Sequence, residues 1–102
     1  MLNINKTANG SDLTVALEGR LDTTTAPELE SYMSGVLGGA EPVKELVIDM
    51  EKLEYVSSAG LRVLLSLQKT MNKQGSMVVR NASDEVKEIF EVTGFADILT
   101  VE

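Results

Sequence analysis

The sequence predicts an α/β fold: a mixed, mostly parallel sheet of four to five strands, with an N-terminal antiparallel hairpin and helices packed against the sheet. Near the N-terminus, apolar and polar residues alternate, as in a half-buried strand. A nearly continuous apolar run lies mid-chain, and strand and helix patterns alternate after it, which indicates parallel strands joined by right-handed crossovers. The length of 102 residues predicts one domain, residues 1–102.

The first two strands are expected to form the hairpin. Apolar residues alternate through LTVALEGRL, residues 13–21, and a weaker strand precedes it with Leu2 and Ile4. Between them, Asn9-Gly10 suits the left-handed conformations of a tight turn, which predicts antiparallel pairing.

The first helix is expected to start at Thr25. This residue stands three positions before Glu28, as in a capping box, and Pro27 lies inside the first turn, where its missing N–H costs nothing. Gly38-Gly39 is expected to end the helix.

The remaining elements follow from the same signals. They are a central strand at Glu45–Met50, a helix from Leu61 to Gly75, a strand at Ser76–Arg80, a helix capped by Ser83 and ended by Gly94, and a closing strand at Ile98–Val101. Leu61, Leu64, Leu65 and Met71 give the second helix an apolar face, and Met71 and Met77 are expected in the core.

Composition excludes several kinds of chemistry. The chain has no His and no Cys, which removes Ser-His-Asp and Cys-His nucleophiles, thiolate or imidazole zinc sites, and disulfides. The carboxylates show no dense cluster like a calcium loop. We therefore predict no metal site, no cofactor and no catalytic residues.

Charge and hydropathy suggest where the protein acts. A formal net charge of −7 argues against binding to nucleic acid, which relies on clustered Lys and Arg. No apolar stretch approaches the roughly 20 residues that span a bilayer, and the N-terminus lacks the basic start and apolar core of a signal peptide. A soluble cytoplasmic protein without membrane insertion is expected.

The segment Glu54–Leu61 is the main functional candidate, because it follows the central strand at the edge where ligands and partners dock on open α/β sheets. Ser57 and Ser58 lie at a helix start, where free backbone N–H groups and the helix dipole favour a phosphate. A simpler interpretation is that one serine is only the N-cap and Gly60 lets the helix approach the sheet. The G-x-S-x-G and P-loop patterns are both absent.

A family resemblance adds to this reading. The block LVIDMEKLEYVSSAGLRVLLSLQKTM, with Gly19-Arg20-Leu21-Asp22 upstream and Val92-Thr93-Gly94-Phe95 downstream, closely resembles the STAS domain of bacterial anti-sigma factor antagonists. The resemblance implies that Ser58 is phosphorylated by an anti-sigma factor that acts as a serine kinase. Ser57 stands where the family usually has Asp, and Ala59 replaces a second hydroxyl, so Ser57 stays open as a competing acceptor.

The same resemblance implies a partner surface at the two neighbouring loops. Asp22 is equally compatible with partner contact and with capping or a solvated loop carboxylate, and helix capping is the simpler interpretation of the threonines, Thr25 above all. Arg62 is unfavourable near the positive end of a helix, which favours a role at an interface or a bound phosphate. The predicted partner-binding residues are Asp22, Thr23, Thr24, Ser57, Ser58, Ala59, Gly60 and Arg62.

Three functions remain to be weighed. The first is an anti-sigma factor antagonist that is not an enzyme: its unphosphorylated form binds the kinase and frees a sigma factor, and a PP2C-type phosphatase restores it. The second is a STAS scaffold or subunit of a signalling or transport-associated complex, without phosphorylation. The third, an enzyme or nucleotide-binding protein using Asp22, Asp49 or Ser58, has the least support.

Overall fold

A four-stranded sheet in the order β1-β2-β3-β4 organises the chain. The computed structural model describes residues 2–39 and 42–102. The strands are β1 (Leu2–Asn9), β2 (Asp12–Leu21), β3 (Glu45–Val56) and β4 (Ser76–Arg80), and the helices are α1 (Ala26–Leu37), α2 (Ser58–Gln74) and α3 (Asp84–Thr93). A short 3₁₀ helix follows at Phe95–Asp97. This arrangement confirms the predicted fold class.

The N-terminal hairpin is confirmed, with β1 antiparallel to β2. Asn9 pairs with Asp12, so the two turn residues are Gly10 and Ser11, one position later than the Asn9-Gly10 signal suggested. Gly10 has a φ of 66°, the left-handed conformation that made glycine informative there. Strands β2, β3 and β4 then pair in parallel, as expected.

Strand β3 is longer than predicted: it continues past Met50 to Val56. Its second half pairs with the end of β2, but the register shifts twice, between Ala16 and Glu18 and between Gly19 and Arg20. These irregularities disrupt the alternation of buried residues, so a period-two pattern was not visible in this half. The extension places the end of β3 beside the end of β2.

The hydrophobic core lies between the sheet and the helices. Side chains of β2 and β3 pack with those of α1 and α2 in one cluster. Fully buried members include Leu17, Leu29, Met33, Ile48, Met50, Leu64, Met71 and Met77, which confirms the two predicted core methionines. None of the helices within the described residues is both long and apolar enough to cross a bilayer.

The predicted closing strand at Ile98–Val101 is wrong. The chain instead winds through the 3₁₀ helix, and the N–H groups of Ile98 and Leu99 both donate to the carbonyl oxygen of Phe95. Only Val101 forms a bridge, parallel to Val79 of β4. Leu99 is buried in the core while Ile98 is exposed. The apolar run therefore contributes a core side chain more than it contributes strand pairing.

Helix α3 has the predicted ends. The Ser83 side chain accepts a hydrogen bond from the N–H of Val86 at 3.2 Å, which caps the helix start. Gly94 ends the helix in the left-handed conformation, with a φ of 82°.

Candidate functional site

Two loops meet at the carboxyl ends of β2 and β3. The N–H of Ser57, just after β3, donates to the carbonyl oxygen of Leu21, the last residue of β2, at 2.8 Å. Because β2 and β3 are parallel, the loop that starts at Asp22 and the loop that leads into α2 leave the sheet side by side. The structure therefore brings the predicted site residues of both loops to one edge.

The first loop is organised by the Asp22 carboxylate. Its Oδ1 atom accepts from the N–H groups of Thr24 at 3.0 Å and Thr25 at 3.1 Å. The Asp22 carbonyl oxygen also accepts from the N–H of Ala26 at 2.8 Å. Asp22 thus satisfies backbone donors ahead of α1, which supports the capping interpretation of this residue.

The predicted capping box at Thr25 is wrong. Thr25 has helical backbone angles and makes no side-chain cap to α1. Its buried hydroxyl instead donates to the carbonyl oxygen of Arg20 at 2.8 Å and accepts from the N–H of Asp22 at 2.8 Å. These two hydrogen bonds fix the loop to the end of β2. The T-x-x-E spacing cannot distinguish this role of Thr25 from helix capping. Pro27 lies in the first turn as predicted.

Asp22 remains ionised at neutral pH. The hydrogen bond from the Thr25 N–H lowers the pKa of the carboxyl below its usual value, and the Thr24 N–H lowers it further. The Arg20 Nε lies 4.0 Å from Oδ2 of Asp22. The loop therefore presents a fixed negative charge beside two exposed threonines, Thr23 and Thr24.

The two serines of the second loop have different roles. Ser57 is the N-cap of α2, and its hydroxyl oxygen accepts from the Gly60 N–H at 3.3 Å. Ser58 is the first helical residue and is exposed, and no hydrogen bond engages its hydroxyl within residues 2–39 and 42–102. Ser57 is therefore occupied in capping, whereas the Ser58 hydroxyl points to an open surface at the helix start.

Gly60 is where α2 approaches the sheet most closely. A Cβ atom at this position would lie 2.7 Å from Cγ and 3.0 Å from the carbonyl oxygen of Leu21. Such distances leave no room for a side chain, which supports the close-approach interpretation of this glycine. Gly60 is buried, so its direct contact with a partner stays a prediction.

Ala59 and Arg62 flank the serines on α2. Ala59 is half-buried against the core, and Arg62 is the fifth residue of α2, exposed just beyond the first turn in which the sequence placed it. Among the described residues, no carboxylate forms an ion pair with Arg62. Its charge is thus free to meet a ligand or a partner at the same helix end as Ser58, and that role stays a prediction.

Two residues of this edge escaped the sequence interpretation: Arg20 and Tyr55. The second register shift places them opposite each other on β2 and β3. The Arg20 guanidinium carbon lies 4.7 Å from the centroid of the Tyr55 ring, a cation–π contact. Arg20 stands next to Leu21-Asp22 in the resembling motif, but only the register reveals its aromatic partner.

Polar and charged groups of several kinds meet at this edge. It combines exposed hydroxyls, one ionised carboxylate, two guanidinium groups and a helix N-terminus that favours anions. No group of three carboxylates converges as a metal site in the part of the chain that the structure describes. The arrangement defines a small α/β domain with an exposed serine at a helix start beside an acidic loop.

This class of domain has a known family. The sequence model of the STAS domain matches residues 3–102, and the chain belongs to the STAS domain family. The chain is 34% identical over 90 residues to BtrV of Bordetella bronchiseptica, whose assigned name is that of an anti-sigma factor antagonist. The match covers 87% of this chain and 76% of BtrV.

Solved structures share the fold. A crystal structure of an anti-sigma factor antagonist from Mycobacterium paratuberculosis superimposes with a TM-score of 0.86 at 23% identity, over 99% of this chain and 85% of that one. The Bacillus cell fate determinant SpoIIAA in its phosphorylated form gives a TM-score of 0.74 at 16% identity, over 100% of this chain and 91% of that chain. These likenesses confirm the STAS fold.

Proposed function

We propose that this chain is an anti-sigma factor antagonist whose binding to its anti-sigma factor is switched off by phosphorylation of Ser58. The observation that carries the proposal is the division of roles at the start of α2, where Ser57 caps the helix and the Ser58 hydroxyl is exposed and unengaged. The family supports the antagonist role. A structural neighbour solved in a phosphorylated form supports the compatibility of the fold with such a modification.

The edge binds the anti-sigma factor when Ser58 is unmodified. Asp22, Thr23 and Thr24 of one loop and Ser58 and Arg62 of the other dock on the anti-sigma factor, which then releases its sigma factor. The chain acts by competition for a shared partner and performs no reaction of its own. Because a sigma factor works with RNA polymerase, this role places the protein in the cytoplasm.

Phosphorylation is the opposing step, carried out by the anti-sigma factor as a serine kinase. The Ser58 Oγ attacks the γ-phosphorus of ATP: an Oγ–P bond forms, the bond to the β-phosphate oxygen breaks, ADP leaves, and the hydroxyl proton passes to a base of the kinase. A PP2C-type phosphatase reverses the step by hydrolysing the Oγ–P bond with water, which releases inorganic phosphate.

The phosphoryl group changes the surface more than the fold. It adds about −1.5 to −2 charges and three acceptor oxygens. Ser58 is the first residue of α2, where the positive end of the helix dipole stabilises that charge, and Ser57 keeps its capping bond. The domain stays folded, while charge and bulk oppose the partner at an edge that already holds ionised Asp22.

Binding of the cognate serine-kinase anti-sigma factor to Ser58→Asp tests the proposal. We expect Ser58→Asp to lose most of the affinity measured by calorimetry and to keep the circular dichroism spectrum of the wild type. Ser66→Asp is the matched control, because Ser66 is another exposed serine of α2 and receives the same charge change. Equal affinity of Ser58→Asp and wild type would overturn the switch and favour the scaffold alternative.

Phosphorylation by the same kinase, followed by mass-spectrometric mapping, separates the two serines. We expect the phosphoryl group on Ser58, with full modification retained in Ser57→Ala and lost in Ser58→Ala. Modification of Ser57 in the wild-type chain contradicts the assignment.

A further inference from the structure

A second surface, outside the two loops, lies where α3 packs against the end of β3. It is a groove of about 420 Å³ with apolar walls made by Tyr55 of β3 and by Ile89 and Val92 of α3. Val92 is 79% exposed and Tyr55 is 37% exposed. Val92 therefore lies outside the buried stripe of α3, where packing within the chain does not account for an apolar, β-branched residue.

The rim of this groove is acidic. Glu54 comes from β3, and Glu85 and Glu88 come from one face of α3, three positions apart. No Lys or Arg lines the groove, and among the described residues the one cation in contact with the ring of a wall residue is Arg20, whose guanidinium carbon lies 4.7 Å from the centroid of the Tyr55 ring. Glu85 lies in the first turn of α3, where the helix dipole favours it, but Glu88 lies beyond that turn, so helix stability does not explain the second charge.

We propose that this groove binds a basic amphipathic helix of a partner protein. An apolar side chain of that helix fills the space between Tyr55 and Val92, and its flanking Lys or Arg side chains meet Glu54, Glu85 and Glu88. This is the common mode in which an amphipathic helix places its apolar face in a groove, and charge complementarity orients it.

The charge of the chain argues against two other occupants. A second copy carries the same net charge of −7 and would bring further negative charge to an acidic rim. An anionic lipid surface is repelled by the same carboxylates.

The proposal goes beyond the phosphorylation switch. Ser58 does not line the groove, so a partner held there is compatible with both the modified and the unmodified state. None of the predicted partner-binding residues of the two loops lines the groove, although its Tyr55 wall also contacts Arg20 at their edge.

The test uses a synthetic amidated peptide of 15 residues, with Leu spaced to form one helical face and Lys on the flanks; a peptide with Glu in place of Lys serves as its control. The Lys peptide is titrated into the isotope-labelled full chain, and amide chemical shifts are recorded. We expect shifts concentrated at residues 54–55 and 85–93 and none with the Glu peptide. Shifts spread over the whole acidic surface, or no shifts, overturn the proposal.

Variants then separate the groove from general charge attraction. Val92→Ser is expected to raise the Kd of the Lys peptide about fivefold, the loss expected for one exposed aliphatic anchor. Ile98→Ser is the control and should leave this Kd unchanged, because Ile98 is exposed outside the groove. The double variant Glu85→Gln/Glu88→Gln should weaken binding, while Glu28→Gln/Glu30→Gln on α1 should not. Equal weakening by the two double variants overturns the proposal.

Sedimentation of the chain alone reports its oligomeric state and so tests whether a second copy occupies the groove. A dimer that Val92→Ser dissociates would assign the groove to a second copy and overturn the proposal. None of these measurements uses the kinase or a modified Ser58, so their failure leaves the proposed phosphorylation switch untouched, and failure of the switch leaves the groove untouched.

Discussion

The backbone N–H of Ser57 donates to the carbonyl oxygen of Leu21 at 2.8 Å, and Gly60 packs directly over the side chain of the same leucine. One residue at the end of β2 thus supports both the cap and the first turn of α2. The position of Ser58 depends on this contact, since Ser58 lies between the two supported residues.

Gly60→Ala tests the close approach of α2 to β2. The added methyl would overlap Leu21, and we expect a loss of about 1–3 kcal/mol in the free energy of unfolding, measured by urea denaturation. Gly35→Ala is the control: a Cβ added at Gly35 in α1 would meet open space, so alanine should raise the free energy of unfolding by about 0.5–1 kcal/mol. A neutral Gly60→Ala contradicts the packing argument.

Ser57→Ala and Ser58→Ala should differ in stability. Ser57→Ala removes the hydroxyl that accepts from the Gly60 N–H, so we expect a loss of about 1 kcal/mol. Ser58→Ala removes an exposed hydroxyl without a partner and should stay within about 0.5 kcal/mol of the wild type. Thermal and urea unfolding of both variants measure these losses. A larger loss for Ser58→Ala than for Ser57→Ala would contradict the assignment of Ser57 as the capping residue.

Thr25→Val tests the loop that the capping-box pattern misassigned. The variant leaves the carbonyl oxygen of Arg20 and the N–H of Asp22 without the Thr25 hydroxyl, and we expect a loss of about 1–3 kcal/mol by urea unfolding. Thr24→Val changes an exposed neighbour whose hydroxyl is not used in the loop, so its expected effect is below about 0.5 kcal/mol. Equal effects of the two variants would contradict the role of Thr25.

The stabilising effect of the Asp22 carboxylate should depend on pH. Hydrogen bonds from Thr25 and Thr24 lower the folded-state pKa below the unfolded value of about 3.9. A lowered pKa means that the contribution is fully present above the unfolded value and is lost as the pH falls through the folded one.

Asp22→Asn isolates that contribution. The difference in the free energy of unfolding between wild type and variant should be constant near pH 6 to 7 and should shrink below about pH 4. Urea unfolding at a series of pH values measures it. A difference that does not change with pH would show that the ionised form has no special role in the loop.

Most of the fold could be predicted because its signals are local. The alternation in residues 13–21, the apolar run at 45–50 and the glycines at helix ends each depend on a few neighbouring residues. Ser83 as a cap and Gly94 as a left-handed helix end are of the same kind, and both are confirmed.

The remaining features depend on contacts between distant segments. The second half of β3 follows a register with two shifts, which also creates the Arg20–Tyr55 contact. Thr25 satisfies the spacing of a capping box, but its hydroxyl donates a hydrogen bond to the carbonyl oxygen of Arg20 instead. At the candidate site, sequence placed the serines at a helix start, and only the geometry separated the capping hydroxyl from the exposed one.

The edges of the sheet limit how other proteins can join it. On one side, β1 exposes Asn3, Asn5 and Lys6, whose polar and charged side chains disfavour the docking of a further strand. On the other side, β4 is short, and the backbone of Val79 is already bonded to Thr100 and Glu102. Strand addition, the common route to aggregation and to sheet-extending assembly, is therefore discouraged at both edges.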